Sequence, residues 1–224
     1  RHIFEIGGQD SKFIPIGRDR AGKPYVQDHT FNQLCAAGTG AFLDQQAERL
    51  GLTIEALGRV ASQAKRAARG AGRCAVFAKS DMIHLQQQAV PVEEIAAGLC
   101  LALARNFLAT LCKGRVPQPP ILLQGGVAAN AGVVKAFREL LHLEDSELLI
   151  PDDFALMGAL GAALLAGESL LARPVPLSTL ASRLALAGDQ APAGSDLLPL
   201  VRPEDSERVV EQKPSGRSRQ PFFL

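Results

Sequence analysis

Residues 32–42 read Asn32-Gln33-Leu34-Cys35-Ala36-Ala37-Gly38-Thr39-Gly40-Ala41-Phe42. In this segment a cysteine stands at the edge of a predicted turn of small residues that leads into a predicted helix. Gly38 and Gly40 let backbone amides approach a ligand more closely than a Cβ would allow, and Thr39 can cap the following helix. Because a helix start carries unpaired N–H groups and partial positive charge, the segment suits a phosphate, a thiolate or a metal cluster.

Composition narrows the class of protein. The chain has 224 residues, 47% of them hydrophobic, which is enough for one large domain or two small ones. A net charge of +1 argues against a general nucleic-acid binder. No apolar run reaches about 18 residues, so no membrane span is expected. The four cysteines lack the paired spacing of a secreted disulfide framework, so we expect a cytoplasmic protein.

Hydrophobic periodicity predicts an α/β domain over residues 1–167. Strands are expected at 3–6, 12–16 and 25–31, paired antiparallel because tight turns join them. Helices are expected at 39–50, 54–68, 76–88 and 91–112, followed by a strand at 121–123, a helix through 134–141, a strand at 147–150 and a helix at 157–166. Residues 168–224 are rich in Pro, Ser, Ala, Gly and Arg and predict a linker, with one short helix near 180–186. The abrupt ends suggest a fragment of a longer protein.

The first glycine motif is Glu5-Ile6-Gly7-Gly8-Gln9-Asp10-Ser11-Lys12, between two strands. Its glycines can simply serve a hairpin turn. Alternatively, the turn binds a phosphate: the amides of Gly7 and Gly8 would cradle it, Glu5 or Asp10 would hold Mg²⁺ or orient water, and Gln9 would position water.

The second glycine motif is Gly125-Gly126-Val127-Ala128-Ala129-Asn130, which follows a short buried strand and precedes a helix. This geometry suits a nucleotide. The motif lacks the spacing of a dinucleotide fingerprint and the Lys-Ser/Thr of a P-loop, so a tight strand-to-helix turn is an equal alternative.

Cys35 and Cys74 each precede a predicted helix, where a thiolate is favoured, whereas Cys100 and Cys112 lie inside a long apolar helix. All four can be ordinary core cysteines. If Cys35 and Cys74 do bind metal, two thiolates cannot complete a four-ligand site, so a second copy of the chain would have to supply the other two.

Together these motifs resemble the BadF/BadG/BcrA/BcrD ATPase family, which includes activators of 2-hydroxyacyl-CoA dehydratases and ATPase subunits of benzoyl-CoA reductase. The resemblance covers about residues 1–167 and rests on five segments in order: Glu5 to Lys12, Cys35 to Phe42, Cys74 to Ala78, Gly125 to Asn130 and Gly158 to Ala163. It implies a ribonuclease-H-like domain of the superfamily of acetate and sugar kinases, heat-shock chaperone ATPases and actin, with a mixed sheet and flanking helices. The element order looks like the second of the two such domains.

The resemblance also implies site roles. Glu5 to Gln9 would form the second phosphate loop for ATP or ADP with Mg²⁺, and Gly125, Gly126 and Asn130 would lie near adenosine. Cys35 and Cys74 would hold one 4Fe-4S cluster shared by a homodimer. ATP-driven movement would then send a low-potential electron to a CoA-ester dehydratase or reductase component.

Two departures from the family pattern affect these expectations. The first domain's phosphate loop would lie upstream of Arg1, so this chain alone is expected to bind ATP weakly or not at all and to be inactive. The usual Asp of the second phosphate loop is Glu5. The terminal Phe222-Phe223-Leu224 resembles the long fused proteins of the family. The rival hypotheses are a small-molecule kinase of the same superfamily, for which no substrate base is found, and a non-enzymatic dimerisation or regulatory module.

Overall fold

The central strand of the sheet is β1, residues His2–Ile6. The structure is a computed structural model, and it describes residues 1–32, 38–69, 75–168, 176–179 and 181–182. β1 pairs antiparallel with β2 (Ser11–Arg18) and parallel with β5 (Ile121–Gln124). β6 (Leu148–Leu149) extends the parallel side next to β5. The sheet is therefore mixed, as the sequence predicts.

The prediction of one continuous strand at residues 25–31 is wrong. The structure has two short strands instead, β3 (Pro24–Val26) and β4 (Thr30–Phe31). Both pair antiparallel with β2. β3 pairs with the C-terminal end of β2, and β4 pairs with its N-terminal end. The strand order is β3-β2-β1-β5-β6, with β4 also beside β2, because the chain between the two short strands moves from one end of β2 to the other.

Six helices have bounds close to the predicted ones: α1 (Gly40–Arg49), α2 (Ile54–Gln63), α3 (Ala75–Gln87), α4 (Val92–Leu111), α5 (Ala131–Leu141) and α6 (Met157–Glu168). The main correction is α2, which ends five residues before the predicted end at residue 68. Lys135 on α5 donates from Nζ to the carbonyls of Ser62 (3.1 Å) and Ala64 (2.7 Å). A cation on these terminal carbonyls stabilises the early end of the helix.

The core lies on one face of the sheet. Phe4 of β1 packs against Phe107 of α4 and Phe137 of α5, with ring centroids 4.8 and 5.3 Å away. α4 is long and apolar enough to cross a membrane, but the core helices of soluble proteins meet the same criteria of length and hydropathy. Half of the apolar segment of α4 is buried inside this domain. The buried stripe of α4, which includes Ile95, Leu99 and Phe107, accounts for its hydropathy.

α6 differs from its prediction. Gly158 and Gly161 are expected to allow close backbone packing, yet an added Cβ at either position would meet nothing within 4 Å. None of the residues of α6 is buried, and Leu160 and Leu164 are exposed. The small residues of this helix therefore have no packing role within the described residues.

The chain divides into two units, Arg1–Glu168 and Ser169–Leu224. In the second unit, the described residues 177–179 and 181–182 are helical. The predicted helix near 180–186 lies mostly outside the described residues, and the assignment of residues 168–224 to a linker stays a prediction.

Candidate functional site

The turn between β1 and β2 is joined directly to the start of α1. The Gly40 amide donates to the Gly7 carbonyl (2.8 Å), and the Ala41 amide donates to the Gly8 carbonyl (2.7 Å). A Cβ on Gly40 would lie 3.0 Å from the Val127 side chain and 3.2 Å from Gly8 Cα. The absence of a Cβ at Gly40 therefore permits this close contact between the turn and α1. The amides of residues 40 and 41 are used in hydrogen bonds to the carbonyls of the turn.

Thr39 stands at the N-cap position of α1 with extended backbone, but its side chain makes no capping hydrogen bond. The predicted capping by Thr39 is thus wrong, because the carbonyls of the β1–β2 turn take over that task. Gly38 is held from another side, since Ser11 Oγ donates to its carbonyl at 2.6 Å. Gly38 and Thr39 are buried beside this joint, and their predicted contact with a nucleotide stays a prediction.

Glu5 lies at the end of β1, opposite Lys12 on one neighbouring strand and Gln124 on the other. Lys12 Nζ donates to Glu5 Oε1 (2.9 Å) and to Asp10 Oδ2 (2.8 Å), and Gln124 Nε2 donates to Glu5 Oε2 (3.0 Å). Burial lowers the pKa of Lys12, but its hydrogen bonds to Asp10 and Glu5 outweigh burial and raise that pKa. Gln9 is exposed at the turn. The carboxylate of Glu5 is thus fixed at the carboxyl ends of two parallel strands.

The end of β5 lies against the end of β1 at Gly125. Gly125 has φ +88°, and a Cβ there would collide with the backbone of Ile6. Its amide donates to the Phe154 carbonyl at 2.8 Å. Gly126 then opens a short 3₁₀ helix, Gly126–Ala129. Only glycine meets both demands at residue 125, the positive φ and the close approach of two strands.

Asn130 caps α5 and is 8% exposed. Its Oδ1 accepts from the Val133 amide at 3.1 Å, which assigns the orientation of the side-chain amide. Its Nδ2 is buried and has no hydrogen-bond partner among the described residues. An unpaired buried donor is unfavourable, so Nδ2 requires an acceptor from beyond the described residues.

Gly58 of α2 packs on Asn130, and sequence reasoning missed this contact. A Cβ on Gly58 would lie 3.0 Å from Asn130 Oδ1 and 3.2 Å from Nδ2. A glycine inside a helix costs about 1 kcal/mol relative to alanine, so its presence in a periodic helical segment is a readable sign of a close contact.

These elements enclose a cleft of about 420 Å³. Its walls come from the β1–β2 turn, α1, the first half of α2 and the segment joining β5 to α5. Thirteen residues line it: Gly8, Gly40, Leu43, Asp44, Ile54, Glu55, Gly58, Arg59, Gly126, Val127, Ala129, Asn130 and Ala131. The structure thus brings together the first and second glycine motifs and Gly40, and adds α2, which the sequence did not assign to the site.

Cys35 and Cys74 lie outside the described residues. Cys100 and Cys112 are buried, and burial raises the pKa of each thiol to about 12, so both remain protonated core side chains. Among the described residues no group of three or more His, Cys, Asp or Glu side chains could hold a metal ion.

Comparisons with known proteins find similar sequences over residues 1–166. The sequence model of the BadF/BadG/BcrA/BcrD ATPase family matches residues 1–166. The chain is 37% identical over 167 residues to the 2-hydroxyisocaproyl-CoA dehydratase activator of Clostridioides difficile, covering 74% of this chain and 59% of the activator. It is 34% identical over 169 residues to the activator of lactoyl-CoA dehydratase of Anaerotignum propionicum, covering 75% and 62%.

Two solved structures share the fold. The activator of the 2-hydroxyisocaproyl-CoA dehydratase from Clostridium difficile with bound ADPNP gives a TM-score of 0.64 at 33% identity, covering 74% of this chain and 59% of that one. The (R)-2-hydroxyglutaryl-CoA dehydratase component A of Acidaminococcus fermentans gives 0.64 at 29%, covering 73% and 60%. The predicted fold is confirmed. The chain spans about three fifths of the length of these relatives.

Proposed function

Because the chain belongs to the BadF/BadG/BcrA/BcrD ATPase family, we propose that it is the nucleotide-binding portion of an ATP-dependent activator that passes an electron to a CoA-ester dehydratase or reductase component. The observation that carries the proposal is the cleft of about 420 Å³, on which separate glycine segments of the sequence converge. The partner kind follows from the relatives, which are named as activators of such dehydratases.

The cleft fits an adenine nucleotide in size, position and chemistry. Its volume lies within the range of about 300–1,000 Å³ that is usual for small-molecule sites. It opens beyond the carboxyl ends of parallel strands β1 and β5, where α/β sheets bind ligands. Its walls are mainly apolar. Asn130 Nδ2 has no acceptor among the described residues, and a ring nitrogen of a base could accept its hydrogen bond.

The phosphates would lie at the β1–β2 turn, where Gly8 lines the cleft. Glu5 would hold Mg²⁺ directly or through water; each of its oxygens accepts one bond from the protein and keeps a second lone pair. The bonds from Lys12 and Gln124 fix the Glu5 side chain, which we propose takes the role of the family's usual Asp. Gln9, exposed on the same turn, would position the attacking water. When bound, Mg²⁺ would neutralise phosphate charge.

The cluster proposal rests on the donor set. Cys100 and Cys112 are held protonated by burial, so Cys35 and Cys74, which the family resemblance indicates as cluster ligands, are the cysteines that remain for this role. Two thiolates supply half of the four ligands of a 4Fe-4S cluster, so a homodimer would complete it. When bound, the cluster supplies the transferred electron. We also propose a cytoplasmic location, where thiols stay reduced.

Hydrogen–deuterium exchange of the chain with and without Mg²⁺·ADPNP at millimolar concentration tests the cleft. We expect slower amide exchange around Gly8, Gly58 and Gly126 to Asn130, because the ligand excludes water there. β3 and β4 lie away from the cleft and serve as the internal control. Unchanged exchange around the cleft at saturating nucleotide would overturn the nucleotide-binding proposal.

A further inference from the structure

The basic residues of this chain are concentrated in one segment. Residues 56–80 contain six lysines and arginines and no aspartate or glutamate, whereas the whole chain is balanced, with 24 basic and 23 acidic residues. The six are Arg59, Lys65, Arg66, Arg69, Arg73 and Lys79. Cys74, proposed above as a cluster ligand, belongs to the same segment. Because a solvated surface usually mixes both signs, this segregation indicates a negatively charged partner.

The structure fixes the part of this segment that follows α2, residues 64–69, which we call the basic strap. The strap lies against α4, because the Ala68 amide donates to the Glu94 carbonyl at 2.8 Å. A Cβ on Gly98 of α4 would collide with the Ala68 carbonyl oxygen, so the two backbones approach closely. Arg66 Nε donates to both carboxylate oxygens of Glu94 at 2.9 Å. The strap is thus ordered before any partner binds, which lowers the entropic cost of docking.

Lys65 and Arg69 are the charges of the basic strap that remain for a partner. Both side chains are exposed, and neither forms an ion pair with the described residues. The charge of Arg66, by contrast, is paired with Glu94 inside the domain. The strap therefore presents two uncompensated positive charges to the solvent.

A small pocket lies at the edge of the basic strap, between the end of α2, α4 and α5. Its volume is about 60 Å³, and its charged lining residues are Lys65, Arg66, Lys135 and Glu139. Three of these groups are cations, and the carboxylate of Glu139 lies 4.0 Å from Lys135 Nζ. A cavity needs only about 10–15 Å³ to hold one water, so this pocket has room for a carboxylate group. One acidic side chain of a partner can therefore anchor here.

We propose that the basic strap docks an acidic surface of the protein that receives the electron. The inference rests on the proposed function. Cys74 is five residues beyond Arg69, so their Cα atoms lie at most about 18 Å apart. An acidic partner bound to Lys65 and Arg69 is therefore held near the proposed cluster. Charge pairs at an exposed surface mainly speed association and weaken with salt, which suits the short-lived encounters of electron-transfer proteins.

The test measures binding of the chain to a fluorescently labelled peptide of glutamates, by fluorescence anisotropy at low salt and at about 150 mM salt. The variant carries Lys65→Gln and Arg69→Gln, which remove two charges and leave the Arg66–Glu94 pair intact. We expect it to bind the peptide about 5- to 30-fold more weakly than the wild type at low salt, as for the loss of two exposed charge pairs. The wild-type affinity should fall as salt is added, because the pairs are screened.

The matched control carries Arg20→Gln and Lys23→Gln, in the exposed turn between β2 and β3, and changes the net charge by the same amount. It should weaken peptide binding less than about 2-fold, because charges outside the contact are screened. Equal weakening by the two double variants, or none by either, overturns the basic strap as the docking surface. A DNA duplex is the second probe. Tighter binding of the duplex than of the peptide, through Lys65 and Arg69, overturns the choice of a protein partner.

Iron content of the same anaerobic preparations separates this inference from the proposed function. If the protein holds iron and the strap variant binds the peptide as the wild type does, the docking surface alone is overturned. If the protein is iron-free and also fails reconstitution, the proposed function is overturned, and with it the assignment of the partner as an electron acceptor.

Discussion

Replacing Gly125 with alanine is expected to lower the free energy of unfolding by about 3 kcal/mol or more, the sum of backbone strain and overpacking. At φ +88° an alanine is strained, and its Cβ would lie 2.7 Å from the carbonyl carbon and 3.0 Å from the amide nitrogen of Ile6. Both neighbours are backbone atoms in the central strand, so they cannot rotate away. Urea unfolding measures the loss, and nucleotide binding should weaken with it because β1 and β5 carry the cleft.

Gly126→Ala is the control for the Gly125 variant. A Cβ on Gly126 meets nothing within 4 Å, and this residue has no positive φ. Its replacement should change the unfolding free energy by less than about 1 kcal/mol, in either direction. Equal stability of the two variants would contradict the close approach of β5 to β1 at residue 125.

Replacing Phe4 with alanine is expected to cost about 3–5 kcal/mol, the usual range for removing a buried phenylalanine ring. Phe4 is fully buried, and its ring contacts Phe13, Phe107 and Phe137 at centroid distances of 5.9, 4.8 and 5.3 Å. Removal of the ring leaves a cavity shared by β1, β2, α4 and α5. The shift in the urea midpoint at constant slope measures the effect.

The matched control is Phe77→Ala on α3, where the ring is 62% exposed. Its loss should cost less than about 1 kcal/mol, because most of its surface is already in water. Phe4→Leu should fall between the two alanine variants, since leucine refills part of the cavity. A Phe4→Ala protein as stable as Phe77→Ala would contradict the described core.

The sequence predicted the elements well because their signals are local. The stripe of α4 and the short apolar run of β5 give the period and the length of each element directly. The end of α2 was missed because it depends on Lys135, which is 71 residues away from Ala64 in the chain. The break between β3 and β4 likewise depends on where each strand meets β2, which no local pattern records.

For the candidate site, the sequence named the glycine turns and Asn130 but missed the wall formed by α2. Gly58 and Asp44 join the site only through packing, and a helical pattern alone does not tell which exposed positions border a cleft. For Thr39 the sequence predicted a contact that the structure lacks. Threonine is a common N-cap residue, but the first amides of α1 donate to the carbonyls of Gly7 and Gly8 instead.

Iron and acid-labile sulfide of anaerobically purified protein, measured with its oligomeric mass, test most directly whether this ATPase-family chain carries an electron-transfer cluster. We expect about four irons per dimer. The iron should be lost in Cys35→Ala and in Cys74→Ala and retained in Cys112→Ala, whose thiol is buried and protonated. An iron-free protein that also fails anaerobic reconstitution would contradict the activator function and favour the kinase or the non-enzymatic module.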